Sequence, residues 1–276
     1  MSLALAAVVV AAVSAVAVTA MLLVRRRAPE GSYFEDGDRA AGVFGVLATG
    51  FAVLLGFVVF LAFQSFDTSR SGAIDEAQIV AEQFETAQFM PVAVRARLSG
   101  EIVCYARSVV YQEWPQMESG GLGDGVNSWG VATFLTLKAT NPQLPAEQAA
   151  YSKWLDQRSD RQNARNDRTH GAEGVIPIAL WIVLFLIAGV IFVFMLFFAD
   201  SGERAVVQGM LIGSVVAVIS ALMLLLYGLN EPFHGGVGGL QPVAMERSLR
   251  MIDDALGSVG AQVRLPCDAL GEPVPA

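Results

Sequence analysis

Charge is scarce in this chain. Asp, Glu, Lys and Arg make up 16% of its 276 residues, where a soluble domain carries about 25%. What charge there is sums to −8. A nucleic-acid surface needs a basic footprint, so no nucleic-acid partner is expected. Cysteine and histidine are scarcer still, with two of each. Without a CxxC pair or a Cys/His cluster, the residues imply no structural zinc, no other metal and no cofactor. Catalytic signatures are also missing: there is no GxSxG, no HExxH, no P-loop and no GxGxxG behind a strand. No enzyme activity is expected. His170 and His234 each border an apolar stretch beside glycine, and both read as interfacial polar residues.

What the chain does have is long apolar runs. Hydrophobic residues reach 54%, with a mean hydropathy of +0.51. The excess lies in four stretches, 3–24, 41–63, 175–198 and 205–227, none with a charged side chain. A helix rises about 1.5 Å per residue, so roughly 20 apolar residues cross a ~30 Å hydrocarbon core. All four are long enough. The chain therefore reads as an all-α multi-pass protein of the plasma (inner) membrane, with the lipid bilayer as its first partner. The first run has no basic segment before it and is long for a leader peptide, so it reads as a retained helix.

Segment composition divides the chain into four parts. Residues 1–63 hold the first two spans and a short loop. Residues 64–174 form a helical soluble insert that continues the second span. Residues 175–228 hold the last two spans, and 229–276 form a Gly/Pro-rich tail with one short amphipathic helix.

Basic short loops tend to stay in the cytoplasm. Arg25, Arg26, Arg27 and Arg39 lie between the first two spans and Arg204 between the last two. This predicts an extracytoplasmic N-terminus and an extracytoplasmic insert. Cys104 and Cys267 then share an oxidising side, where a disulfide can persist. Pairing of the two and two free thiols both remain open at this stage.

Membrane helices associate through small residues that let backbones approach. The first span offers Ala7, Ala11 and Ala15, the second Gly45, Thr49, Ala52 and Gly56, and the fourth the GxxxG of Gly209 and Gly213. These three are expected to form the packed or subunit-facing surfaces. The third span, with Trp181, Phe185, Phe192, Phe194, Phe197 and Phe198, is expected to be the most lipid-exposed. No ionisable residue lies inside any span, and no internal repeat is evident. Both observations argue against an ion-coupled transporter.

In the insert, Ile74, Ala77, Ala81, Phe84 and Gln88 predict a core-facing stripe. Pro91 opens a second segment whose stripe, Leu98, Ile102, Tyr105 and Val109, is expected to end at Trp114-Pro115. Residues 118–124 read as a glycine-rich loop, and Ser128 as the N-cap of a short helix bearing Trp129, Phe134 and Leu137. Pro145 opens a last helix reaching about His170. Tyr151, Trp154, Arg158, Arg161, Arg165 and Arg168 share one face of it, and Asp156, Asp160, Asn163 and Asp167 lie opposite. The arginines are candidates for facing anions or anionic lipid headgroups. The plainer reading pairs them with an acidic stripe at Asp75, Gln78, Glu82 and Glu85. In the tail, Met245, Leu249, Ile252 and Leu256 mark one side of a short helix, and the chain is expected to be loose after Gly257.

Glu76-Ala77, Tyr105, Glu113-Trp114-Pro115 and the run from Asn230 to Gly235, set in this order of helices between about Gly42 and Leu249, resemble the bestrophin-like membrane proteins of bacteria and plants. The resemblance implies the layout of bestrophins, which are pentameric anion channels with a pore lined by the second span. On that basis the chain is expected to be a homo-oligomeric, channel-like protein. Phe57, Phe60 and Phe63 would form an apolar neck and Gln64 its polar rim. Bestrophins keep their large helical part in the cytosol, opposite to the orientation that the loop charges favour. A calcium-binding acidic cluster is not evident, and Glu35-Asp36-Gly37-Asp38 reads as an ordinary loop. The competing function is a non-conducting membrane-anchored module, structural or sensory, whose insert binds a partner.

Overall fold

The second apolar run does not stop at the edge of the hydrocarbon. No proline stands between Pro29 and Pro91, and the chain forms one helix, Gly37–Ala87, of 51 residues. At 1.5 Å per residue it is roughly 76 Å long. The structure is a computed structural model that describes residues 2–121, 126–236, 238–259 and 265–274. In chain order the helices are α1 (Leu3–Arg25), α2 (Gly37–Ala87), α3 (Val92–Ser108), a π-helical turn (Val109–Glu113), α4 (Trp114–Glu118), α5 (Ser128–Lys138), α6 (Pro145–Thr169), α7 (Ile178–Phe197), α8 (Ala205–Asn230) and α9 (Val243–Val259). Among the described residues the only β-type pairing is an isolated bridge between Cys267 and Pro273. The chain divides into two units, one made of residues 1–64, 175–230 and 236–238, the other of 65–174, 231–235 and 239–276.

Among the described residues four helices are long and apolar enough to cross a membrane, α1, α2, α7 and α8. Ser2 caps α1 by accepting from Leu5 N–H at 3.2 Å. Asn230 at the end of α8 accepts from the backbone N–H groups of Val175 and Ile176 at 3.0 and 2.9 Å. Arg25 donates to the carbonyls of Ser201 and Glu203. Asp200 accepts from the N–H groups of Gly31 and Gly202. The core joins Phe51, Leu55, Val58 and Ala62 of α2 with Leu184, Ile191 and Met195 of α7 and Ile212, Met223 and Leu226 of α8.

Two packing expectations need correction here. The third span, α7, is not the most exposed: it buries three side chains, and Phe194 and Phe198 pack their rings on Phe34 and Phe44. Large rings fill space by dispersion contact and need no close backbone approach. Instead α1 is the barest, burying only Ala17 and Met21. The glycines also divide. A methyl on Gly209 or Gly213 would lie 3.4 or 3.2 Å from Val18, so both sit where α8 meets α1. Among the described residues nothing lies within 4 Å of where a methyl on Gly45 or Gly56 would be.

The second unit is built around α3. Leu98, Ile102, Val103, Tyr105 and Ala106 are buried, and α2, α5 and α9 pack around them. On α2 the buried face reads Glu76, Ala77, Val80, Gln83, Phe84 and Ala87. It is rotated from the expected stripe: Ile74 is 48% exposed and Gln88 is exposed. Nor does the second segment end at Trp114-Pro115. Proline removes one N–H and its ring clashes with the carbonyl four residues back. The chain absorbs both by widening into the π turn at Val109–Glu113, then continues helically to Glu118. The cap of α5 is Asn127, not Ser128, its side chain accepting from the N–H groups of Trp129 and Gly130. Met245, Leu249 and Ile252 of α9 are buried. Of the loop expected at 118–124, residues 122–124 lie outside the described residues, as do 260–264 of the tail.

Candidate functional site

Two arrangements in the structure have chemical character, one in each unit. The first is the outward face of α2. Val53, Phe57, Phe60 and Phe63 are 56%, 66%, 55% and 52% exposed, and Gln64 is exposed beside them. At about 100° per residue, Val53, Phe57, Phe60 and Gln64 share one stripe, while Phe63 lies about 120° round from Phe57. Gly42, Gly45, Gly50 and Gly56 on the same helix have open space where a side chain would be. This face is therefore apolar, with exposed aromatic rings beside bare glycines and an amide at its end.

The second arrangement is a buried polar centre. Arg168 on α6 is fully buried, and its guanidinium donates to Glu76 on α2 and to Glu113 on the π turn, each at 2.5 Å. Arg165 donates to Glu113 at 3.1 Å. Tyr105 O–H donates to Glu76, and Asn127 donates its amide N–H to Glu113 at 2.9 Å. Arg168 also lies 5.8 Å from the ring centre of Trp114, whose ring meets Phe233 edge-on. Arg161 donates to Gln83 at 2.6 Å and stands 4.3 Å over the Tyr105 ring.

Burial alone would push the Glu113 carboxyl up, but Arg168 and Arg165 outweigh it and hold the group below its ordinary value. Burial lowers the Arg168 guanidinium, and Glu76 and Glu113 more than reverse that. Burial, with Glu76 adding to it, pushes the Tyr105 phenol well up. Burial pulls the Arg161 guanidinium down. At neutral pH Glu113 is therefore a carboxylate, Arg161 and Arg168 are charged, and Tyr105 is a neutral phenol that donates. Saturated in this way, the centre locks α2, α6 and the π turn together and leaves neither Glu76 nor Glu113 free to act as a base.

This places the expected residues differently from a lipid-facing stripe. Arg161 and Arg168 are buried and Arg165 nearly so; none of the three can reach a headgroup. Arg158 is half-buried, 4.5 Å over the Phe134 ring. The acidic partners of Arg165 and Arg168 are Glu113 and, for Arg168, also Glu76, not Asp75 and Glu85, which are exposed. Glu82 accepts instead from Gln78 and, at 3.5 Å, from Gln157. One helical position separates Asp75 from Glu76, and the rotation of the buried face decides between them. Cys104 on α3 and Cys267 in the tail are joined in a disulfide. Around it Arg107 donates to Asp268 O, Gln112 to Leu270 O and Trp129 Nε1 to Gly271 O at 2.7 Å. Among the described residues no cluster of His, Cys, Asp and Glu is arranged to hold a metal ion.

The same residues that carried the resemblance, Glu76, Ala77, Tyr105, Glu113, Trp114 and Phe233, line this second arrangement. Residues 11–241 match the family described as the Bestrophin-like domain. No curated protein matches the chain. Among solved structures, a bacterial bestrophin homologue from Klebsiella pneumoniae, phased with zinc, is similar with a TM-score of 0.66. It shares 12% identity, and the match covers 93% of this chain and 99% of that one. A single-residue variant of a Klebsiella pneumoniae bestrophin homologue is similar with the same TM-score, 13% identity, and coverage of 92% and 98%. At such identity these structures speak for the fold alone. The family match spans most of the sequence, and with it the four apolar helices identify the chain as a helical membrane protein belonging to the Bestrophin-like family.

Proposed function

We propose that this chain is one subunit of a homo-oligomeric membrane channel that passes anions, with the outward face of α2 lining the pore. The observation that carries the reading is the unpartnered face itself. Glycine serves a membrane helix where another backbone comes close, yet among the described residues nothing approaches where a methyl on Gly45 or Gly56 would be. A neighbouring subunit is the partner such a face suits. Phe57 and Phe60 then form an apolar neck that gates by dewetting, and Gln64 is the first polar group beyond it. Phe63, turned away from that stripe, belongs to the flank between subunits.

The disulfide supports an extracytoplasmic location for the soluble unit, because such bonds persist in oxidising compartments. The basic residues Arg25, Arg26, Arg27, Arg39 and Arg204 support the same orientation, with the short loops on the cytoplasmic side of the plasma membrane.

The test is anion flux from liposomes holding the purified protein. Wild-type protein is expected to pass chloride or iodide, and Phe60→Ala to pass more, since a smaller side chain wets the neck. Absence of flux above background, across calcium concentrations and voltages, refutes the proposal. So does a monomer in nanodiscs.

A further inference from the structure

The arginines of α6 are buried, but those of the short loops are not. In the first unit, Gly209 and Gly213 of α8 face Val18 of α1, and Gly209 also faces Met21. Further along α1, Arg25 donates to the carbonyls of Ser201 and Glu203 just before α8 begins. As α1 advances, its partners on α8 fall back, so the two helices run antiparallel. The end of α1 therefore lies level with the start of α8. This brings Arg26 and Arg27 to the same depth as Arg204. All three are exposed, and among the described residues none makes an ion pair or a side-chain hydrogen bond.

The carboxylates of these loops are engaged with other groups. Asp200 accepts from the N–H groups of Gly31 and Gly202. Glu203 accepts from Gln208 Nε2 at 3.1 Å, and Asp36 pairs with Arg39. Glu30, Glu35 and Asp38 are exposed and pair with none of the three arginines. Within two helical turns of these charges the surface becomes apolar. Leu22 on α1 is 38% exposed, and Val206 and Met210 on α8 are 67% and 70% exposed. At about 100° per residue, counted from the glycine contact, these three lie on one side of the helix pair. Unpaired guanidiniums above bare aliphatic side chains match one kind of molecule, an anionic headgroup above acyl chains. A soluble anion would leave the aliphatic surface bare, and a zwitterionic lipid would bring a cation to the arginines.

We propose that this end of α1 and α8 is a docking surface for an anionic phospholipid. Its phosphate sits among Arg26, Arg27 and Arg204, and its chains lie on Leu22, Val206 and Met210. The orientation proposed above places the lipid in the cytoplasmic leaflet. No pore enters the argument, so the surface stands or falls separately from the channel reading.

The experiment is thermal unfolding of the purified full chain in nanodiscs, with phosphatidylcholine replaced stepwise by phosphatidylglycerol at constant ionic strength. The wild-type melting temperature is expected to rise with phosphatidylglycerol. One arginine near an anionic lipid surface is worth about fivefold in affinity. Arg204→Gln is thus expected to weaken the lipid dependence about fivefold, and Arg26→Gln with Arg27→Gln about 25-fold. Lysine at all three positions keeps the charge and is expected to keep most of the effect. Arg247→Gln with Arg250→Gln, exposed on α9, is expected to change nothing. Native mass spectrometry of the wild type, which needs no variant, is expected to retain phosphatidylglycerol in preference to phosphatidylcholine. A wild type that melts alike in both lipids, or retains both alike, overturns the proposal. So do glutamine variants that keep the full lipid dependence. Equal stabilisation by soluble glycerol 3-phosphate in phosphatidylcholine nanodiscs overturns it too, since the ligand would then be a free phosphate ester.

Discussion

Replacing Gly72 by alanine sets two opposed effects against each other. In an isolated helix alanine is the better residue by about 1 kcal/mol. In this fold Gly72 faces α6 at close range. An added methyl would lie 2.6 Å from the Ala164 carbonyl oxygen and 2.8 Å from the Asp167 carbonyl carbon, and would collide with the Arg168 backbone nitrogen. These are backbone atoms and cannot rotate aside. The helices must part by roughly 1 Å to restore ordinary contact. Overpacking of this kind costs about 1–3 kcal/mol. Parting the helices also stretches the Arg168–Glu76 pair, which lies one turn further along α2; complete loss of such a pair costs about 3–5 kcal/mol. The crowding wins, and Gly72→Ala is expected to lose about 2–4 kcal/mol net. Denaturant titration in micelles, followed by tryptophan fluorescence, measures it. Gly257→Ala is the control: nothing lies within 4 Å of Gly257, and that change should gain up to about 1 kcal/mol. A Gly72→Ala protein as stable as wild type would refute the close packing of α2 on α6.

Three further outcomes follow from the same geometry. Because Glu113 is held below its ordinary value of 4.5, its contribution is complete at neutral pH and is lost as pH falls from about 4.5 through the folded-state value; acid unfolding curves should show that segment in the wild type and not in Glu113→Gln. Reducing the Cys104–Cys267 bond, or replacing both with serine, should lower stability by about 2–5 kcal/mol and expose residues 265–274 to protease; unchanged protease resistance would mean that the hydrogen bonds of that segment hold it alone. Gly271 has φ +83° and lies where a methyl would be 2.6 Å from Ser108 N, so Gly271→Ala should lose about 2–4 kcal/mol from backbone strain and crowding together, read by the same denaturant titration.

The membrane part of the fold was legible because one solvent imposes one rule. Four charge-free runs of sufficient length leave little else for residues 3–24, 41–63, 175–198 and 205–227 to do, and the absence of proline carried the second helix onward. Faces were harder to read. Ile74 and Gln88 looked inward by spacing, yet the helix turns so that Glu76 and Gln83 are inside. A polar residue on a core stripe runs against simple hydrophobic periodicity, and only a partner on another helix reverses the preference. That partner, Arg168, is 92 residues away, and no local pattern couples the two. The signal that did exist lay in the family motif, whose Glu76, Tyr105 and Glu113 meet in space. Glycine was equally ambiguous: Gly209 and Gly45 look alike in sequence, but one faces α1 and the other faces away from its own chain.

The disulfide has a topological consequence. Two apolar helices, α7 and α8, lie between Cys104 and Cys267, and an even number of crossings returns a polypeptide to the face it left. Cys267 also follows the final span, so its sulfur can meet Cys104 only after every span has been made. The cross-link is thus a parity check on the insertion of α7 and α8: a chain that skips one of these two crossings, or adds one between the cysteines, strands the two thiols on opposite sides of the bilayer and cannot close the ring.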